Sequence, residues 1–103
     1  MNNYAKKLNL ENTTFANPHG LPNRANLSSA YDIFKLSSKI IKDFPQHLYR
    51  FKKTKVKIKG KNYTTHNTLL KKYDHYIGLK TGYIRKSGFQ ISLLSINGDN
   101  YLL

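Results

Sequence analysis

Apolar residues recur along this chain at two different periods. Ala30, Ile33, Phe34, Ile40, Ile41 and Phe44 fall at helical spacing. Ahead of them, Ser29-Ala30-Tyr31-Asp32 matches a capping box, with Ser29 as N-cap and Asp32 three residues on. The pattern predicts a helix over residues 30–43. Asp43-Phe44-Pro45 ends it, because proline disfavours helix at the residue before it. A short helical turn is expected from Pro45 to Phe51. Upstream, Met1 to Leu8 reads as the last turns of a helix, with Tyr4, Ala5 and Leu8 on one face. Asn9 then stands where a left-handed residue closes a helix. Residues 10–28 form a loop, dense in turn formers from Asn17 to Asn23.

From Lys53 the period becomes two. Thr54, Val56 and Ile58 alternate with Lys55, Lys57 and Lys59, which predicts a half-buried strand. Gly60-Lys61 is the expected turn and Asn62–His66 the return, giving a hairpin with a basic, solvated face. Tyr49, Phe51 and Tyr63 beside it are expected to pack. Strands are also predicted over Ile77–Tyr83 and Phe89–Ile96. Asn97-Gly98 then turns the chain into a last strand from Asn100 to Leu103. No repeat, linker or internal boundary interrupts the pattern. The expected fold class is α+β, with helices packed on an antiparallel sheet.

Composition narrows the chemistry. The 103 residues allow one small domain. They contain no Cys, which removes disulfides, thiol nucleophiles and thiolate metal sites. His66 and His75 lack partners at metal-ligand spacing, and His19 reads as a loop-ordering residue. With 18 Lys+Arg against 5 Asp+Glu, the formal net charge is +13. Such a charge suits a polyanion-binding module. Yet the chain also holds 11 Asn, and Ile outnumbers Val 8 to 1, a bias towards A/T-rich codons. Because the charge is spread along the chain, codon bias is the preferred reading, and no specific nucleic-acid partner is expected. Met1–Lys7 has no apolar core, so no signal peptide is expected. Ile91–Ile96 is too short for a transmembrane segment.

The candidate chemistry is Lys80-Thr81-Gly82, near the end of the apolar strand Ile77-Gly78-Leu79 and followed by Tyr83. A glycine in a strand lets a ligand backbone approach closely. Beside it, a threonine hydroxyl and a lysine ammonium suit an anion lying along a strand edge, such as a peptide C-terminal carboxylate. The bland reading of Gly82 is a bulge, and of Thr81 a plain strand residue.

These residues belong to an ordered set. Ala5-Lys6-Lys7-Leu8, Asn12-Thr13-Thr14-Phe15, Asn17-Pro18-His19-Gly20-Leu21-Pro22, Ser29-Ala30-Tyr31-Asp32, His66-Asn67-Thr68-Leu69-Leu70 and Gly78-Leu79-Lys80-Thr81-Gly82-Tyr83 follow one another. In this the chain resembles the serine DD-peptidases, the low-molecular-weight penicillin-binding proteins that act as D-alanyl-D-alanine carboxypeptidases. The resemblance implies a fragment of a β-lactamase/transpeptidase-like domain, partial over 1–103 and truncated at both ends. It implies no cofactor and no metal. The family uses Ser-x-x-Lys, Ser-x-Asn and Lys-Thr-Gly. Only the third stands in place. No Ser here has Lys three residues later, and Ser95-Ile96-Asn97 follows Lys-Thr-Gly instead of preceding it.

By the resemblance, Lys80 supplies positive potential and Thr81 hydrogen-bonds the substrate carboxylate. Gly82 admits the substrate backbone, and the Tyr83 N–H is half of an oxyanion hole. Asn67–Leu70 is expected to pack and cap the turn before this strand. Ile84 and Ser87-Gly88-Phe89 depart from the family's usual Thr and Ala-Gly-Tyr. The implied partner is a peptidoglycan stem peptide or a β-lactam, once the missing half is supplied by a complementing upstream chain. Alone, the chain is expected to be inactive. The family works in the periplasm or at the outer face of the cytoplasmic membrane; this chain, without an export signal, would be cytoplasmic if expressed alone. Two rival readings remain: a small basic nucleic-acid-binding module, and a non-catalytic remnant that binds peptidoglycan stems.

Overall fold

The computed structural model describes residues 1–98 and 100–103. Helix α1 (Asn2–Lys7) ends at Asn9, whose φ of 52° is the left-handed conformation expected of it. Helix α2 spans Ala30–Asp43, followed by a 3₁₀ turn (Pro45–His47) and the single turn α3 (Leu48–Phe51). Strands β1 (Lys55–Ile58) and β2 (Lys61–Thr64) form a separate hairpin. A short helix α4 (Leu69–Lys72) leads into β3 (Tyr76–Ile84), β4 (Gly88–Asn97) and β5 (Asn100–Leu102), an antiparallel sheet in the order β3-β4-β5. The α+β architecture is as expected from the two periods.

The core is small and lies on one face of this sheet. Leu48 from α3, Ile77 from β3 and Leu94 from β4 are buried together, with Ile41, Phe51, Leu79, Ile96 and Leu103 packed around them. The Oγ atoms of Ser37 on α2 and Ser92 on β4, 3.1 Å apart, join helix to sheet by a hydrogen bond.

Ser29 caps α2 as expected, its hydroxyl accepting from the Asp32 N–H at 3.1 Å. The reciprocal half of the capping box is absent. Asp32 Oδ2 instead accepts from the Asn12 N–H at 2.8 Å and the Thr13 hydroxyl at 2.7 Å. Its carboxylate is only 1% exposed. A buried carboxylate is costly unless hydrogen-bonded, so this side chain clamps the 10–28 loop to the helix. Thr14 and Leu27 close the same loop with a pair of backbone hydrogen bonds.

Burial follows the apolar spacing less closely than the elements do, and on the hairpin it corrects the expectation. The face Tyr4, Ala5, Leu8 buries only Ala5, and Tyr4 is exposed. The buried positions of α2 are Asp32 and Ser37; its apolar residues are half-buried or exposed, Phe34 among the latter, as is Phe44 just past its end. On the β1–β2 hairpin all eight strand residues are exposed, so the face of Val56 and Ile58 is not buried against another element and Tyr63 does not pack into the core. Its turn falls one residue early, at Lys59-Gly60, because both residues take positive φ (47° and 80°), as a two-residue hairpin loop demands. At the β4–β5 hairpin Asn97 stays in the ladder, paired with Asn100, and the turn begins at Gly98.

One ion pair occurs among the described residues, Lys39–Asp43 at 2.9 Å on the outer face of α2. The Asp43 carboxylate raises the Lys39 pKa, by hydrogen bonding first and charge second. The pair is solvated and contributes little.

Replacing Asp32 by Ala should lower stability by about 3 kcal/mol, since it strands the Asn12 N–H, takes from the Thr13 hydroxyl one of its two partners and loosens the loop. Urea denaturation followed by circular dichroism measures this; a loss below about 0.5 kcal/mol would mean that the clamp is idle.

Candidate functional site

Strand β3 pairs with β4 over nearly its whole length, from Tyr76↔Ser95 to Ile84↔Gly88. The register shifts once, between Gly78 and Lys80. Cross-strand partners share a face, so this bulge at Leu79 resets the alternation. Ile77 and Lys80 lie opposite Leu94 and Ser92, on the α2 side. Thr81 and Tyr83 lie opposite Ile91 and Phe89, on the other side. Without the bulge, Thr81 would share the face of Ile77 and point into the core. The bulge thus turns the threonine outward and leaves the lysine behind it.

Thr81 and Tyr83 open onto a cleft of about 630 Å³. One wall is the sheet: Lys80 to Tyr83 of β3 with Phe89, Gln90 and Ile91 of β4. The other is His66-Asn67-Thr68-Leu69, the segment between β2 and α4. The Tyr83 and Phe89 rings meet with centroids 4.5 Å apart, at a point where Phe89 is 85% exposed. The Lys80 ammonium folds onto the Thr81 carbonyl. All four residues singled out from the sequence are therefore brought together at one cleft.

Asn67 sets the distance between the walls. It is 5% exposed, its N–H donates to Thr65 Oγ1 at 3.1 Å, and its Oδ1 accepts from the Leu69 N–H at 3.1 Å. The expectation that this segment packs and caps the turn is met. Its amide also rests on Gly78: a Cβ there would stand 2.2 Å from Asn67 Nδ2. Gly78 is thus the glycine that close packing requires. Gly82 is a different case, since its Cβ would meet only Gln90 Cβ, at 3.9 Å.

The sequence reading missed His66, Asn67, Thr68, Leu69, Gln90 and Ile91 as cleft residues. Gly78, two residues before Lys80, was the available signal for close approach from outside the strand. Ser95-Ile96-Asn97 lies at the far end of β4, opposite Tyr76 and β5 and away from the cleft. It takes no part in the site. Among the described residues no three His, Asp or Glu side chains gather as a metal site would require.

Comparison with known proteins sets this geometry in context. The peptidase family described as D-alanyl-D-alanine carboxypeptidase matches residues 1–100. The D-alanyl-D-alanine carboxypeptidase DacD of Salmonella typhimurium is 36% identical over 104 residues, all of this chain but 27% of that protein. The chain therefore spans about a quarter of the length of such relatives. Among solved structures, penicillin binding protein 5 from Haemophilus influenzae superposes with a TM-score of 0.89 at 27% identity, over 96% of this chain and 29% of that one. Penicillin-Binding Protein D2 from Listeria monocytogenes, in its cefotaxime bound form, gives 0.87 at 33% identity, over 97% and 42%.

The two glycines should respond oppositely to Ala. Gly78→Ala forces the pinned Asn67 amide away and should cost about 1–3 kcal/mol. Gly82→Ala meets ordinary contact and should stay within about 0.5 kcal/mol of the parent. Paired thermal melts decide it; equal losses would show that Asn67 yields freely.

Proposed function

The chain belongs to the D-alanyl-D-alanine carboxypeptidase family, and on that premise we propose that Lys80–Tyr83 is the carboxylate-binding strand of a serine acyl-transfer site. One observation carries the reading. Strand β3 stands at the open edge of its sheet, with β4 on one side only, where the cleft-facing Thr81 meets a glycine. An edge strand offers unpaired N–H and C=O groups to an extended peptide.

In this reading the terminal D-Ala–D-Ala of a peptidoglycan stem lies along β3. The Thr81 hydroxyl donates to the terminal carboxylate. Lys80 supplies positive potential from behind the strand. Gly82 lets the peptide backbone draw near, and the Tyr83 N–H points at the scissile carbonyl oxygen as half of an oxyanion hole. Such a donor is worth about 3–4 kcal/mol once a nucleophile attacks. A β-lactam would place its own carboxylate on Thr81.

The nucleophile comes from outside these residues in our proposal. A serine hydroxyl attacks the carbonyl, D-alanine departs with the proton, and water later cleaves the acyl ester. No Ser-x-x-Lys occurs in the 103 residues. We read the chain as part of a catalytic domain, inactive alone and completed by further chain at the cell wall, with no cofactor involved.

The test is intact mass after incubation with benzylpenicillin, together with NMR titration by a peptide ending in D-Ala–D-Ala. The expected result is an unshifted mass, no released D-alanine, and amide shifts at Thr81, Gly82 and Tyr83 that Thr81→Ala weakens at least fivefold. A covalent adduct would overturn the missing nucleophile. Shifts confined to other residues would overturn the binding strand.

A further inference from the structure

The spread of charge along the sequence becomes local in three dimensions. Arg50, Lys52, Lys53, Lys55, Lys57, Lys59 and Lys61 follow one another from α3 to the start of β2, and no acidic residue occurs between Asp43 and Asp74. All seven are exposed, and none forms an ion pair with a described carboxylate. Arg50 and Lys53 both stand over the Tyr49 ring, at 5.5 and 5.7 Å from its centroid. The base of the hairpin is thus cationic like its tip.

The hairpin is also two-sided. Its register, Lys55↔Thr64, Val56↔Tyr63, Lys57↔Asn62, Ile58↔Lys61, puts Lys55, Lys57, Asn62 and Thr64 on one face. Val56, Ile58 and Tyr63 share the other, each about half exposed, with Lys59 and Lys61 at its tip. A linear polyanion is satisfied by the lysines alone and has no use for the apolar face. A lipid surface uses both: acyl boundary for the valine, isoleucine and tyrosine, and anionic headgroups for the lysines of the tip and the opposite face.

We propose that the β1–β2 hairpin docks on an anionic phospholipid surface, its Val56–Ile58–Tyr63 face down and its lysines among the headgroups. The segment that follows β2, His66–Leu69, is the wall of the cleft. Docking therefore holds that wall beside the bilayer. The inference does not depend on what the cleft binds.

The test is vesicle flotation with the full chain. Vesicles of equal phosphatidylglycerol and phosphatidylcholine should carry it, and vesicles of phosphatidylcholine alone should not. The variant with Lys55, Lys57, Lys59 and Lys61 each changed to Gln should bind at least tenfold more weakly. Val56→Ser with Ile58→Ser should also bind at least fivefold more weakly, while keeping the parent's salt dependence. Both variants alter exposed positions, so circular dichroism should match the parent. No flotation with the anionic vesicles would overturn the proposal, as would equal flotation with neutral ones. Undiminished binding by the serine variant, with equal affinity for heparin or DNA, would overturn it in favour of a plain polyanion surface.

Discussion

The antiparallel pairing of β3 with β4 carries the rest of the molecule. It buries Leu94 completely and Ile77 beside it, giving α2 and α3 the apolar surface on which they rest. It also fixes which residues of β3 face the core and which face the cleft. A single extra residue, Leu79, decides that assignment for everything after it. Without this ladder there is neither a core for the helices nor a platform for Thr81. The remaining parts are tied on locally: the 10–28 loop by Asp32, and the cleft wall by Asn67.

Much of this was legible in the sequence where local chemistry decides. The cap at Ser29, the stop before Pro45, the left-handed Asn9 and the three strands of the main sheet all follow from short-range rules. Lys80-Thr81-Gly82 stood out by residue type and context. Burial was less legible. Alternation shows that Val56 and Ile58 share a face, but not that any other element covers it, and here none does. Likewise α2 has helical spacing of apolar residues, yet Asp32 and Ser37 are what it buries. The Leu79 bulge leaves no local mark at all, because it is a property of two strands paired in register.

Asp32 illustrates why a correct motif can have a different purpose. The spacing Ser29 to Asp32 is that of a reciprocal cap. The carboxylate could reach back to the Ser29 N–H. Instead two donors from the distant Asn12-Thr13 segment take it and, with the pair of hydrogen bonds between Asn2 and Phe15, hold the loop to the body. Tertiary demand redirected the acceptor while the helix kept the simpler half of its cap.

The open edge of β3 has a consequence for how copies of this chain behave in solution. The row of unpaired backbone groups that can receive a peptide can equally receive a strand from another molecule, the first step of edge-to-edge aggregation. The Leu79 bulge and the exposed charge of Lys80 oppose that locally, while Gly82 and the neutral Thr81 leave the cleft end of the edge open. A second guard is collective. Each molecule carries a formal net charge of +13, and molecules of like charge repel before their edges can meet. Because that repulsion acts through solvent and is screened over about 10 Å at 0.1 M salt, colloidal stability should fall as ionic strength rises, whatever happens to the stability of the fold.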